Sequence, residues 1–233
     1  MQESVDKGNF GITRLAITLD MLPLREQNLI LDVGSGDGTF AWMLKKRFDK
    51  VNITCLDFSS VRIKQAKNMY GNEFFYIVAD AAYLPIKSGV ADSCAFLEVV
   101  EHLDGRRGPK AIGELSRVLK KGGYLLLSTP NRASFTSFTG SIVYKVFLGK
   151  KWVAWDKTHV KLYTPHEIEN LLESLNFEII KNKGYWFFPS GLSYFLDPML
   201  RKHGWYRKIS SYALEIRIGV HLGFIIMYLA KKG

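Results

Sequence analysis

Residues 34–38 read Gly-Ser-Gly-Asp-Gly and follow directly on the apolar run Leu29-Ile30-Leu31-Asp32-Val33. Such a run, emptying into three alternating glycines and then an amphipathic stretch (Phe40, Met43, Leu44, Phe48), has few ways to fold. Glycine opens backbone angles closed to other residues and lets a ligand approach the main chain. The helix that follows points its first, unpaired amides at the bend. A strand–loop–helix turn that holds a small ligand is therefore expected.

Spacing separates two cofactors that use such turns. A nicotinamide dinucleotide prefers G-x-G-x-x-G, whose third glycine lets the helix pack on the strand. Here that position is Thr39, and the third glycine comes one residue early, at Gly38. Asp32 stands two residues before the first glycine, and Asp57 closes the next strand-like run, 51–56. An acid at Asp57 serves the ribose of either cofactor. The G-x-G-x-G spacing together with Asp32 favours S-adenosylmethionine.

Apolar runs and amphipathic stretches alternate along the chain. Strands are expected near 29–33, 51–56, 74–79, 91–97, 122–128, 177–184 and 221–230. Helices are expected near 38–48, 60–70, 108–119 and 165–175. Thr164, Pro165 and Glu167 suit the start of the last helix, and Gly122-Gly123 is read as ending the third. This alternation predicts a doubly wound α/β sheet. With 233 residues, 47% of them hydrophobic, one domain over 1–233 can bury an ample core. Cys55 and Cys94 fall in core strands and read as small buried hydrophobes, with no disulfide or zinc site implied. The polar start, Met1 to Lys7, has no apolar signal core, and Ile216 to Ala230 is too short and too charged to span a bilayer. A cytoplasmic location, with peripheral membrane attachment open, is the expectation.

Three further stretches carry a resemblance. Asp80 closes the third strand-like run and precedes Ala81-Ala82-Tyr83-Leu84-Pro85. Glu98-Val99-Val100-Glu101-His102-Leu103 closes the fourth, and Lys120-Lys121-Gly122-Gly123-Tyr124-Leu125-Leu126-Leu127-Ser128-Thr129-Pro130-Asn131 makes the fifth. In this order the chain resembles the class I S-adenosylmethionine-dependent methyltransferases over about residues 25–185. It looks nearest to the type 11 branch that includes the ubiquinone-biosynthesis O-methyltransferases. The resemblance implies a Rossmann-like seven-stranded sheet, mostly parallel with an antiparallel last strand, plus cap insertions. It also implies S-adenosylmethionine as methyl donor and S-adenosylhomocysteine as product.

Site roles follow from the same resemblance. Gly34, Ser35, Gly36 and Gly38 would pass beneath the methionine and ribose, and Asp32 would face the methionine ammonium. Asp57 would take the ribose hydroxyls and Phe58 pack on adenine. Asp80 would accept from the adenine amino group, with Ala81 offering an amide. Glu98 would lie near the transferred methyl, and His102 and His159 are the base candidates. A divalent ion on Glu98, Glu101 and His102 is raised by the quinone-forming relatives, but Glu98 and His102 share a face only on a helix; no metal is expected.

The formal charge is +10. Residues 132–161 carry Arg132, Lys145, Lys150, Lys151, Lys157 and Lys161 against one acid, Asp156, with Phe135, Phe138, Tyr144, Phe147, Trp152 and Trp155 interleaved. Residues 192–208 repeat the theme. Two cap insertions, about 131–163 and 186–218, are expected to cover the strand ends, with an amphipathic helix from about 134 to 148. Basic, aromatic insertions suit an apolar or amphiphilic acceptor, a quinone precursor or another lipid-linked molecule, with contact to an anionic membrane. A soluble metabolite or sugar, RNA or protein as acceptor, and a non-catalytic binding module are the alternatives. DNA is not expected: neither cysteine stands on a loop, and no Asn/Asp-Pro-Pro-aromatic string follows the fourth strand. The oligomeric state is left open.

Overall fold

The computed structural model describes residues 15, 18–23, 28–149, 156–186 and 216–233. Its strands are β1 (Leu29–Val33), β2 (Asn52–Asp57), β3 (Phe75–Val78), β4 (Ala91–Leu97), β5 (Leu119–Pro130), β6 (Phe177–Trp186), β7 (Ile216–Ile218) and β8 (Ile225–Lys232). Its helices are α1 (Thr39–Arg47), α2 (Ser60–Tyr70), α3 (Arg107–Val118), α4 (Phe135–Leu148) and α5 (Pro165–Ser174). The spatial order is β3-β2-β1-β4-β5-β8-β6-β7. β1 to β5 pair in parallel, and β8 runs antiparallel to both β5 and β6. All seven expected strands are present in the Rossmann-like sheet, and the three-residue β7 adds one more at its edge.

The central strands are apolar on both faces because both are covered, as parallel sheets require. Leu31 and Val33 enter one core with Phe96, Ile112, Leu115 and Ile168. Ile30 enters the other with Phe40, Leu44, Ile53 and Met227. Each such fully buried side chain contributes about 1.5–3 kcal/mol relative to exposure. Cys55 and Cys94 are buried free thiols, as expected, and burial raises both pKa values. Thr164 caps α5 in a reciprocal capping box with Glu167, and Pro165 opens the helix.

Gly122 and Gly123 do something other than end α3, which stops at Val118. They lie inside β5, where the register against β4 jumps from Ala91↔Leu119 to Ser93↔Tyr124. Gly122 takes φ +74°, and a Cβ on Gly123 would sit 2.9 Å from the Lys120 carbonyl oxygen. The pair forms a bulge that only glycine fits. β8 starts at Ile225, four residues later than expected, because residues 220–223 turn tightly before it.

The strand order reverses between β1 and β4, the point where ligands bind in open α/β sheets, beyond the strands' carboxyl ends. The first insertion leaves from that end. Asn131 and Tyr163 form an isolated parallel bridge, and the Arg132 amide donates to the Tyr163 carbonyl at 2.8 Å. The insertion's two ends are thus clipped together. Most of the second insertion, together with Lys150 and Lys151, lies outside the described residues.

Candidate active site

The glycine turn folds as its spacing requires. Gly34, Gly36 and Gly38 all have positive φ (+78°, +57° and +80°), the left-handed region that favours glycine. The Gly34 and Ser35 amides donate to the Leu56 carbonyl at 2.7 and 3.0 Å. Gly36 N donates to Asp57 Oδ2 at 2.9 Å, and Ser59 N donates to Asp57 Oδ1 at 2.8 Å. Asp57 therefore stands beside the turn with each oxygen already oriented by one amide. Each oxygen keeps a second lone pair, enough for two ribose hydroxyls.

Two of these glycines serve different ends. A Cβ on Gly34 would sit 2.2 Å from Val99 Cγ2, so Gly34 is needed by the protein's own packing. A Cβ on Gly36 would meet only the Arg62 guanidinium, at 3.1 Å. That flexible tip leaves room for a ligand against the Gly36 backbone.

Asp32 fits a cationic ligand. Its Oδ2 is buried with no hydrogen-bond partner. Burial first, then the charges of Asp57 and Asp37, push its pKa up to about 7. A buried acid with an unfilled acceptor next to a ligand-sized cradle suits the ammonium of S-adenosylmethionine. Beyond β2, Phe58 is 76% exposed, an open aromatic face on the expected adenine side. Asp80 differs from its simplest reading. Its Oδ1 accepts from the Ala82 amide at 3.0 Å, and its Oδ2 is paired with Arg107 at the start of α3. Asp80 reaches an adenine amino group only by sharing itself with that guanidinium, and Ala81 lies half-buried beside it.

Asp57→Ala is expected to weaken S-adenosylmethionine binding by about 1–3 kcal/mol, the range for losing charge-assisted hydrogen bonds. Asp57→Asn, which keeps one acceptor for Gly36, should lose less. Titration calorimetry reads both, and equal affinity in all three proteins would move the ribose partner elsewhere.

A second cluster forms where β4 and β5 end. Glu98 takes φ +56°, uncommon for a residue with a side chain. Its Oε1 accepts from Ser128 Oγ at 2.7 Å. A 3₁₀ turn, Val100–His102, follows. Glu101 is fully buried and accepts from Thr129 Oγ1 at 3.0 Å. Its backbone carbonyl accepts from the Val160 and Lys161 amides at 2.8 and 3.0 Å. Those two bonds bring the returning end of the insertion to the turn. His159 thereby reaches His102, ring centroids 4.9 Å apart and edge to face. His159 Nε2 lies 3.9 Å from Glu101 Oε1.

The structure thus pairs the two histidines that stand 57 positions apart in the chain. Glu98, bonded to Ser128, belongs to the same strand ends, and its neighbour Val99 touches the space above Gly34. Glu101, His102 and His159 each offer a ligand atom within 4.8 Å of the others. Two ligands bonded at about 2.1 Å can be no more than about 4.2 Å apart, a limit that the His159–Glu101 pair, at 3.9 Å, already meets. Spacing gave no hint of Thr158, Asp156, Thr129 or Arg107. Only Asp156-x-Thr158, a local turn pattern in which the carboxylate accepts from the residue two on, could have drawn attention.

Residues 31–127 match the family model described as a methyltransferase domain. The malonyl-[acyl-carrier protein] O-methyltransferase of Marinomonas sp. (strain MWYL1) is 31% identical over 165 residues, 67% of this chain and 54% of that protein. The demethylmenaquinone methyltransferase of Thermotoga maritima is 28% identical over 166 residues, 64% of this chain and 70% of that one. The chain spans about half the length of the acyl-carrier relatives it matches. A solved S-adenosylmethionine-dependent methyltransferase of Thermotoga maritima superposes with a TM-score of 0.64 at 21% identity, covering 95% of this chain and 88% of its own. At that identity the likeness carries the fold alone. The family match over residues 31–127 and the strand order give this chain the class I S-adenosylmethionine-dependent methyltransferase fold, related to the type 11 branch.

Proposed function

We propose that the protein transfers a methyl group to a hydroxyl oxygen of an apolar or amphiphilic small molecule, a quinone precursor or a lipid-linked acceptor. One observation carries this reading. α4 follows the carboxyl end of β5 and exposes four apolar side chains: Phe135 (66% exposed), Phe138 (63%), Ile142 (48%) and Val146 (68%). Their spacing of 3, 4 and 4 residues sets them on one helix face. Arg132 and Lys145 flank them. Two matched relatives are named for acyl-carrier-linked and quinone acceptors, which supports the same class.

The bound cofactor supplies a methyl on a positively charged sulfur. The protein's part is to place the acceptor in line with it, since proximity alone lowers such a barrier by several kcal/mol. When held at the glycine turn by Asp57 and Asp32, the cofactor would give up that methyl to the acceptor oxygen and keep the carbon–sulfur electron pair on its sulfur. The acceptor's hydroxyl proton passes to a neutral imidazole, His102 or His159. Glu98, Gly34 and Asp57 act on the donor side.

We also assign α4 a contact with an anionic membrane surface, where Phe and Ile side chains enter the interfacial zone and Lys and Arg meet headgroups. No helix among the described residues is long and apolar enough to cross a membrane. Two experiments test these readings. Labelled S-adenosylmethionine is incubated with extracted lipids, soluble metabolites and RNA in parallel; label in the lipid fraction is expected, and label confined to metabolites or RNA overturns the acceptor class. Co-sedimentation should rise with the anionic fraction of vesicles, fall with salt, and drop sharply in Phe138→Asp. Equal, negligible binding to neutral and anionic vesicles refutes the membrane contact.

A further inference from the structure

We infer that Asp156 and Thr158 are positioning residues: they hold His102 as its Nδ1–H tautomer and so leave Nε2 as the nitrogen with the free electron pair. The argument is a count of hydrogens. Asp156 Oδ1 accepts from the Thr158 amide at 2.8 Å and from Thr158 Oγ1 at 2.6 Å. Those bonds first, then the neighbouring histidines, hold the Asp156 carboxyl below its usual pKa range, so it is anionic and can only accept. The single hydroxyl hydrogen of Thr158 is committed to it. Thr158 Oγ1 then meets His102 Nδ1, 3.0 Å away, as an acceptor. The Thr158 carbonyl oxygen, 3.3 Å from the same Nδ1, can never be anything else. Two acceptors on one nitrogen require a proton there. A neutral imidazole has only one N–H, so Nε2 is left bare.

The arrangement resembles the logic by which a carboxylate fixes a catalytic histidine, with a threonine hydroxyl inserted between the two. It also explains the return of the insertion to the 3₁₀ turn. The Glu101 carbonyl, accepting from Val160 and Lys161, anchors the segment that carries both Thr158 and His159. Asp156 acts on His102 through the Thr158 hydroxyl, whose hydrogen it orients.

The catalytic meaning of this device rests on His102 being the acceptor-side base, but its test does not. In protein labelled with ¹⁵N-histidine, with His102 assigned by a His102→Gln variant, long-range proton–nitrogen correlation reports the tautomer. The spectra are recorded above the usual imidazole titration range. Wild type should show the Nδ1–H form. Asp156→Ala frees the Thr158 hydroxyl to donate to Nδ1 and should move the population toward Nε2–H. Thr158→Val should give a mixture, and Thr158→Ser should restore the wild-type pattern. Turnover on a lipid extract should fall by at least about tenfold in Asp156→Ala, with the KM for S-adenosylmethionine unchanged. A wild-type Nε2–H tautomer, or an Asp156→Ala spectrum like wild type, overturns the inference. If no acceptor is methylated yet the tautomers shift as stated, the methyl-transfer reading fails and the positioning role stands.

Discussion

S-Adenosylmethionine should bind more tightly as the pH rises from about 5 to 7, by up to about tenfold per unit, releasing one proton. The cause is Asp32, whose pKa in the ligand-free protein is about 7 because it is buried beside Asp57 and Asp37. Below that value it carries a proton that the cofactor's ammonium must displace. Above about pH 8 the cofactor's own α-amino group begins to lose its charge, and the gain reverses. Calorimetry in two buffers of different ionisation enthalpy counts the proton directly. Asp32→Asn should flatten the acid limb, and a wild-type affinity independent of pH with no proton released would mean that the ammonium sits elsewhere.

The same residue sets a stability trend of opposite sign in the empty protein. Its folded pKa lies above the unfolded value of 3.8. Between the two, the native state holds a proton that the unfolded chain has released. Asp32 therefore makes the ligand-free fold less stable as pH rises across that window, by at most about 4 kcal/mol. Ligand should offset most of that loss, so the shift in melting temperature on adding S-adenosylmethionine should grow from pH 5 to pH 7.

Gly34→Val should be the most damaging single change in the cradle. The added Cβ would lie 2.2 Å from Val99 Cγ2, and φ is +78°. Left-handed strain costs about 1–3 kcal/mol and overpacking about 1–3 more. Loss of most of the folding stability and of measurable cofactor binding is expected. Val99→Ala tests the steric half: paired with Gly34→Ala, it should recover part of the stability that Gly34→Ala alone loses. A Gly34→Val protein that melts and binds like wild type would refute the packing argument. At Gly36 the crowding is milder, because only the mobile Arg62 tip stands in the way.

Local chemistry made much of this legible in advance. β1 and the turn were readable because glycine spacing reports φ directly, and α5 because Thr164, Pro165 and Glu167 each have one favoured place at a helix start. The alternation of strands and helices carried the sheet class, since a parallel strand covered on both faces must be apolar throughout. What stayed hidden depends on tertiary partners. Gly122-Gly123 has the composition of a helix stop, and only the pairing of β5 with β4 makes it a bulge. Asp80 reads as a free carboxylate until α3 delivers Arg107 to it. The histidine pair was visible as two separate residues; their contact needs the Glu101 carbonyl, a backbone group that no residue pattern marks. β7, three residues long, has no periodicity to read.

The clip between Asn131 and Tyr163 has a consequence for how such a protein could change its acceptor. Asn131 is buried at the mouth of the insertion, where its side chain donates to the His221 and Gly223 carbonyls and accepts from the Ala133 amide, while its carbonyl takes the Ser134 and Ser137 hydroxyls. With its ends fastened there, the segment between is a closed loop, and doubling its length would cost only about 0.6 kcal/mol in chain entropy. Substitutions and length changes beyond Ser137, which itself belongs to the clip, can thus accumulate without loosening β5 or β8. On the proposed reading, in which the insertion meets the acceptor, the donor half of the reaction is inherited with the sheet while the acceptor half is free to drift.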